Sequence, residues 1–161
     1  MKLFKLFTMA ILAAGALLMT SACTSGGPDD VKNILIIKGQ TYQVKYAMYA
    51  PMEDGFYNID LDTKDFGTKE EPNEIHGYGE LKFSGKDVTV DVSKEDPIYS
   101  SGFNWLSGGG YYEASHYKSG TQTAKNGKDG KIILIVDCID RNGDRFYLNV
   151  EIQDERTMVW D

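Results

Sequence analysis

A chain of 161 residues with 17 Lys and Arg against 24 Asp and Glu carries a formal charge of -7, enough for one domain and the wrong sign for a general nucleic-acid binder. Two histidines and two cysteines leave little inventory for metal or acid–base chemistry. The 17 glycines and 12% aromatic residues suit a β-rich globule and exclude a disordered acidic tail.

Lys2 and Lys5 open the chain, and an apolar stretch runs from Leu6 to Met19, interrupted by Thr8 and Gly15. The small residues Thr20, Ser21 and Ala22 then precede Cys23. A basic start, an apolar centre and a small-residue end make a secretory signal, and the apolar part falls short of the roughly 20 residues a membrane span wants. Thr20-Ser21-Ala22-Cys23 resembles the lipobox of bacterial lipoproteins, in which cleavage leaves a lipid-carrying cysteine at the new N-terminus; Thr20 stands where the common pattern has Leu. The alternative is an ordinary signal peptide cut nearby, leaving Cys23 as a free thiol. The chain is thus divided into a lipoprotein signal peptide over 1–22, a flexible polar tether over 23–32 and a β domain over 33–161. With Cys23 acylated, Cys138 lacks a disulfide partner and is expected to be a small buried apolar residue.

Beyond the tether, alternation of period two dominates. Tyr42, Val44, Tyr46 and Met48 share one face of an expected strand; Tyr57, Ile59 and Leu61 share another, as do Leu81 with Phe83 and Val88 with Val90 and Val92. Turn chemistry separates these runs at Glu53-Asp54-Gly55, at Ser84 to Asp87, at Lys118-Ser119-Gly120 and at Asn126 to Gly130. Asn142-Gly143 predicts a two-residue type I′ hairpin, which pairs Asp140 with Arg145, Ile139 with Phe146 and Ile135 with Val150. That register sets Asp137 opposite Leu148 among aliphatics, where an unpaired carboxylate is costly. A bulge, a hydrogen-bonded structural Asp137 or a ligand contact would each relieve the conflict. Ile132 to Val136 is apolar on both faces and predicts a central strand covered on both sides or the strand joining two packed layers, and no segment has the period of an amphipathic helix. The expected fold is all-β, a single antiparallel β-barrel or two-sheet sandwich of about eight to ten strands.

His76 and His116 are far apart and neither has zinc-ligand spacing. No Gly-x-Ser-x-Gly elbow occurs. The expectation is no enzyme, no catalytic residue, no metal and no cofactor. Asp140-x-Asn142-Gly143-Asp144 matches part of a calcium loop, but Arg145 stands where that loop needs Gly. Asp60, Asp62 and Asp65 form a second oxygen-rich set, and both sets read as solvated turn residues. Trp105, Tyr111, Tyr112, Asn104 and His116 surround the glycine-rich stretch at Gly108 to Gly110 and make the candidate ligand platform. Flat amphipathic rings stack on sugars while polar neighbours orient them. The competing reading makes part of this set core, because Tyr111 and Tyr112 point to opposite faces of a strand.

The lipobox-like run, the polar spacer, the opening Gly39-Gln40-Thr41-Tyr42-Gln43-Val44 and a terminal meander carrying Asp140-Arg-Asn-Gly-Asp144 before Phe146-Tyr147-Leu148 together resemble small calycin-like β-barrel or β-sandwich lipoproteins of Bacteroidetes, whose function is unknown. The resemblance implies an antiparallel fold and an outer-membrane location, periplasmic or surface-exposed, and carries over no catalytic residue. The expectation is a lipid-anchored cell-envelope protein, held to the membrane by its N-terminal lipid, whose β domain binds a small ligand, glycan or protein partner and no nucleic acid. The alternative is a structural or assembly accessory subunit of a surface complex.

Overall fold

The computed structural model describes residues 31–64, 74–106 and 110–157, which belong to one compact unit. Cys23, Asp65, Gly108, Gly109 and Trp160 lie outside the described residues. Within them the protein is all-β. Eleven strands form, one more than the upper end of the expected range, with three single 3-10 turns and no α-helix. In chain order they are β1 (Ile34–Ile37), β2 (Gln40–Gln43), β3 (Tyr46–Pro51), β4 (Phe56–Asp62), β5 (Ile75–Lys82), β6 (Val88–Asp91), β7 (Tyr99–Trp105), β8 (Tyr111–Ala114), β9 (Tyr117–Asn126), β10 (Ile132–Asp140) and β11 (Arg145–Asp154).

The main path runs β6-β9-β10-β11-β3-β4-β5-β7-β8 and curls into an open half-barrel. Its pairs are antiparallel except β11 with β3, which run parallel through Gln153↔Met48 and Asp154↔Tyr49. One edge of β11 is shared: β1 lies along Tyr147–Asn149, and β3 takes over at Gln153. The chain jumps from β5 to β6, from β6 to β7 and from β8 to β9, and all three jumps connect the two halves of the path. Gln122 of β9, 0% exposed, accepts the Tyr99 N–H of β7 at 2.9 Å and donates to the Tyr99 carbonyl at 3.0 Å. One side-chain amide here does the work of a paired strand, satisfying backbone groups that would otherwise be buried and orphaned.

The core fills the inner face of the curl. Leu61, Phe103, Tyr112, Leu134, Val136, Phe146 and Leu148 are all buried, and the Phe103, Tyr112 and Phe146 rings pack with centroids 5.6 to 6.5 Å apart. Cys138 joins this core; burial and then Asp137 push its thiol up to about 12, so it is neutral packing.

Three expectations need correction. The hairpin between β10 and β11 is a three-residue loop, Arg141-Asn142-Gly143, with the Asp140 N–H donating to the Asp144 carbonyl and Gly143 at φ 92. A turn closed by a left-handed glycine next to a bulge fits Asn-Gly as well as the two-residue form does. The register therefore slips by one. Val136 faces Leu148 and Cys138 faces Phe146 in the core, while Asp137 faces Tyr147 outside. Arg145 grips Asp137 through Nε and Nη2, each at 2.8 Å. A one-residue slip exchanges every side chain between faces, so the burial conflict at Asp137 disappears.

Further upstream, the face shared by Tyr42, Val44, Tyr46 and Met48 is interrupted. The Val44 N–H bonds to Asn33 and the Lys45 N–H to Asp62, so the chain changes neighbours there and the alternation restarts. Ala47 and Tyr49 turn inward; Tyr46 and Met48 turn out. Lys118-Ser119-Gly120, expected as a turn, lies inside β9. Gly120 has φ 121, and a Cβ there would sit 2.2 Å from the Asp137 carbonyl. It marks close backbone approach near a register shift at Ile139/Asp140 and not a chain reversal.

Asp140 is the buried carboxylate of this hairpin, 2% exposed. It accepts the N–H groups of Asn142 and Asp144 at 2.8 and 2.9 Å and the Tyr112 hydroxyl at 2.9 Å. Burial raises this carboxyl, but the Asp144 N–H, the Tyr112 hydroxyl and the Asn142 N–H outweigh it and hold it below the usual range. A carboxylate held low in the folded state contributes stability that is complete above its unfolded value, about 3.9, and is lost as pH falls through the lower folded value. Asp140→Asn is therefore expected to lower the urea midpoint at neutral pH and flatten the acid limb of the pH–stability curve. Gln122→Leu should cost about 1–3 kcal/mol for each Tyr99 group left unpaired. Unchanged urea midpoints in these two variants would contradict the hydrogen-bond assignments.

Candidate ligand-binding groove

The outer face of the β3–β4–β5–β7–β8 half is built from residues of the opposite parity to the core. Register aligns Met48, Asp60, Tyr78, Gly102 and Glu113 in one row across the five strands. Tyr46, Asp62, His76, Asn104 and Tyr111 form the next row, and Ala50, Asn58, Glu80 and Ser100 a third. A groove of about 620 Å³ lies over these rows, joined by Glu155 from the 3-10 turn Glu155–Thr157 that follows β11.

Gly102 gives the groove its shape. A Cβ there would sit 2.5 Å from the Tyr111 hydroxyl and 3.0 Å from the Tyr78 ring, so both rings fold down over a strand position that only glycine leaves open. Tyr78 and Tyr111 remain 47% and 50% exposed, the largest aromatic surface that the described residues leave uncovered. The Tyr111 hydroxyl, set against that of Tyr78 and partly desolvated, is pushed up to about 12 and stays neutral.

Beside the tyrosines, His76 stands between two carboxylates: Nε2 is 3.2 Å from Asp60 Oδ1 and Nδ1 is 3.6 Å from Asp62 Oδ2. The Asp60 contact lacks hydrogen-bond alignment, since that oxygen is buried with no hydrogen-bond partner. Burial raises the Asp60 carboxyl; His76 opposes this, and the charges of Asp62 and Glu155 reinforce it. Asp62 is itself buried and accepts the Lys64 N–H at 2.9 Å. Burial, Asp60 and Asp62 together push the neighbouring Tyr46 hydroxyl up to about 12. Among the described residues, no three His, Cys, Asp or Glu side chains are arranged to hold a metal ion.

The structure divides the residues of the sequence-derived platform among three places. Tyr111 lines the groove, and Asn104 is its exposed neighbour in the same row. Tyr112 lies on the other face, buried against Phe146. Trp105 is half-buried against the core side, with Lys38 Nζ 5.6 Å from its ring and 5.8 Å from that of Tyr112. His116 sits beyond β8, exposed, with Ser115 Oγ 2.8 Å from Nδ1 and Glu113 Oε1 at 3.7 Å. The principal groove residues Asp60, His76, Tyr78 and Glu80 are missing from that set. Their shared parity along β4 and β5 was visible as polar alternation, but the pairing that sets β5 between β4 and β7 was not.

Comparison with family models, curated proteins and solved structures finds no match to this chain. The groove has to be interpreted from its own chemistry. The partition between faces is testable: Trp105→Ala is expected to destabilise by about 3 kcal/mol, the lower end for removing a large packed aromatic. Tyr78→Ala should stay within about 0.5 kcal/mol, as an exposed substitution does. Equal costs in urea titrations would contradict the assigned faces.

Proposed function

We propose that this protein is a lipid-anchored component of the cell envelope, of the outer-membrane lipoprotein type, whose β domain is a non-enzymatic module that binds a small ligand in the outer-face groove. The groove carries the proposal. Its volume of about 620 Å³ falls within the span of roughly 300–1,000 Å³ usual for ligand pockets, and it combines two open tyrosine faces with polar groups drawn from separate strands. Tyrosine supplies apolar area at little entropy cost, while carboxylates and the amide of Asn58 orient what stacks on it. Support for the anchor comes from the basic, apolar and small-residue order of residues 1–22 ahead of Cys23.

An assembly-subunit reading is favoured by one observation, the outer edges of β6 and β8, which pair with no further strand among the described residues. It expects a partner strand at an edge and an empty groove.

Both parts of the proposal can be measured. Cys23→Ala should move the protein from the membrane fraction to the soluble fraction; a mutant that stays tightly membrane-bound would sink the anchor. A screen of glycans and small metabolites against the full chain should yield saturable binders that lose affinity in Tyr78→Ala and Gly102→Val, the latter because its side chain displaces both rings. Binders indifferent to both substitutions would place the ligand elsewhere and overturn the groove reading.

A further inference from the structure

We propose that the groove selects an organic cation, an alkylammonium or guanidinium group, over a neutral ligand. The inference rests on the groove reading above and adds the charge of what it holds.

Among the described residues, the lining contains the carboxylates Asp60, Glu80, Glu113 and Glu155, one histidine, and no Lys or Arg. These carboxylates do not follow one another along a solvated strand. Asp60 comes from β4, Glu80 from β5, Glu113 from β8 and Glu155 from the turn after β11, so the fold gathers negative charge from four elements into one concavity. A cleft lined by one sign of charge concentrates the opposite charge.

An independent observation is the tyrosine floor. The Tyr78 and Tyr111 rings lie over Gly102 about half exposed, inside this negative field. The negative face of an aromatic ring attracts a cation within about 6 Å of its centre, most strongly when the cation is partly desolvated. A neutral sugar could use the rings and the acceptors but would leave the repulsion among the carboxylates in place, whereas a cation relieves it. Burial first raises the Asp60 carboxyl; His76 lowers it, and Asp62 and Glu155 add to the rise. The same chemistry could arrive as a free polyamine or as a Lys or Arg side chain of a peptide.

The test is calorimetric titration of the full chain in detergent with four probes: spermidine, Nα-acetyl-arginine methylamide, its neutral citrulline counterpart, and maltose. Saturable binding of spermidine, capped arginine or both is expected, and which one binds identifies the source. The citrulline compound should bind at least about tenfold more weakly than the arginine compound, and Glu80→Gln with Glu113→Gln should weaken the cation by a similar factor. Tyr78→Ala should weaken it roughly fivefold. Raising the salt from about 0.05 to about 0.5 M should also weaken binding, which checks the charge dependence without any variant. Equal affinity for the arginine and citrulline probes, or cation affinity untouched by salt, overturns the inference. Maltose binding that is lost in Tyr78→Ala, without cation binding, overturns the charge assignment and leaves the groove reading standing. If no cation binds and ligands found by the wider screen ignore Tyr78 and Gly102, both fall.

Discussion

A long curled sheet has to hide one face and satisfy the backbone at its seam, and in this protein the side-chain amide of Gln122 meets the second requirement. By bonding both the N–H and the carbonyl of Tyr99, it joins β9 in one half of the path to β7 in the other. Neither bond belongs to the strand ladder, yet both lie in the core, where a broken backbone hydrogen bond is most expensive. The aromatic packing of Phe103, Tyr112 and Phe146 depends on that closure, because Phe103 and Tyr112 come from one half and Phe146 from the other.

The divided edge of β11 is the second constraint. By pairing with β1 over one stretch and with β3 over another, this strand supports both halves of the sheet, and its parallel contact with β3 brings the following turn to the rim of the groove. Glu155 reaches the groove by this route. A strand that served a single neighbour along its length would leave the β3–β4–β5–β7–β8 face without that contribution.

The groove is what remains once the inner face has taken the aliphatic and aromatic bulk. Its outer rows hold carboxylates, amides and tyrosines, residues that tolerate water, and Gly102 removes the side chain that would have propped the two rings upright. Like charges gathered on one surface cost little while solvated but give that surface a field; the Asp60 carboxyl is raised first by burial, with Asp62 and Glu155 adding to the rise against His76. The same partition accounts for the two carboxylates of the last hairpin. Asp137 is paired outside with Arg145, while Asp140 is held inside by two backbone N–H groups and a tyrosine hydroxyl.

The fold class was legible in the sequence because alternation of period two is a local property: Ile59 and Leu61 in β4, Leu81 in β5 and Val90 in β6 each disclose a buried face without reference to any neighbour. Turn chemistry located the β3–β4, β9–β10 and β10–β11 hairpins for the same reason. Register was less accessible. Asn142-Gly143 announces a reversal but fits both a two- and a three-residue loop, and the choice that sent Asp137 outward was made by packing along β10 and β11. Strand order was out of reach, since nothing local tells β6 to leave β5 and pair with β9. With strand order went the groove, for Asp60, His76, Tyr78 and Glu80 become one site only when β4, β5 and β7 lie side by side. The sequence by itself determined that the chain is built of strands with one buried face and where three of its hairpins turn, because those follow from hydrophobicity and backbone chemistry read a few residues at a time. Only the tertiary structure decided which polar residues meet, because that depends on long-range pairings chosen by the packing of the whole sheet.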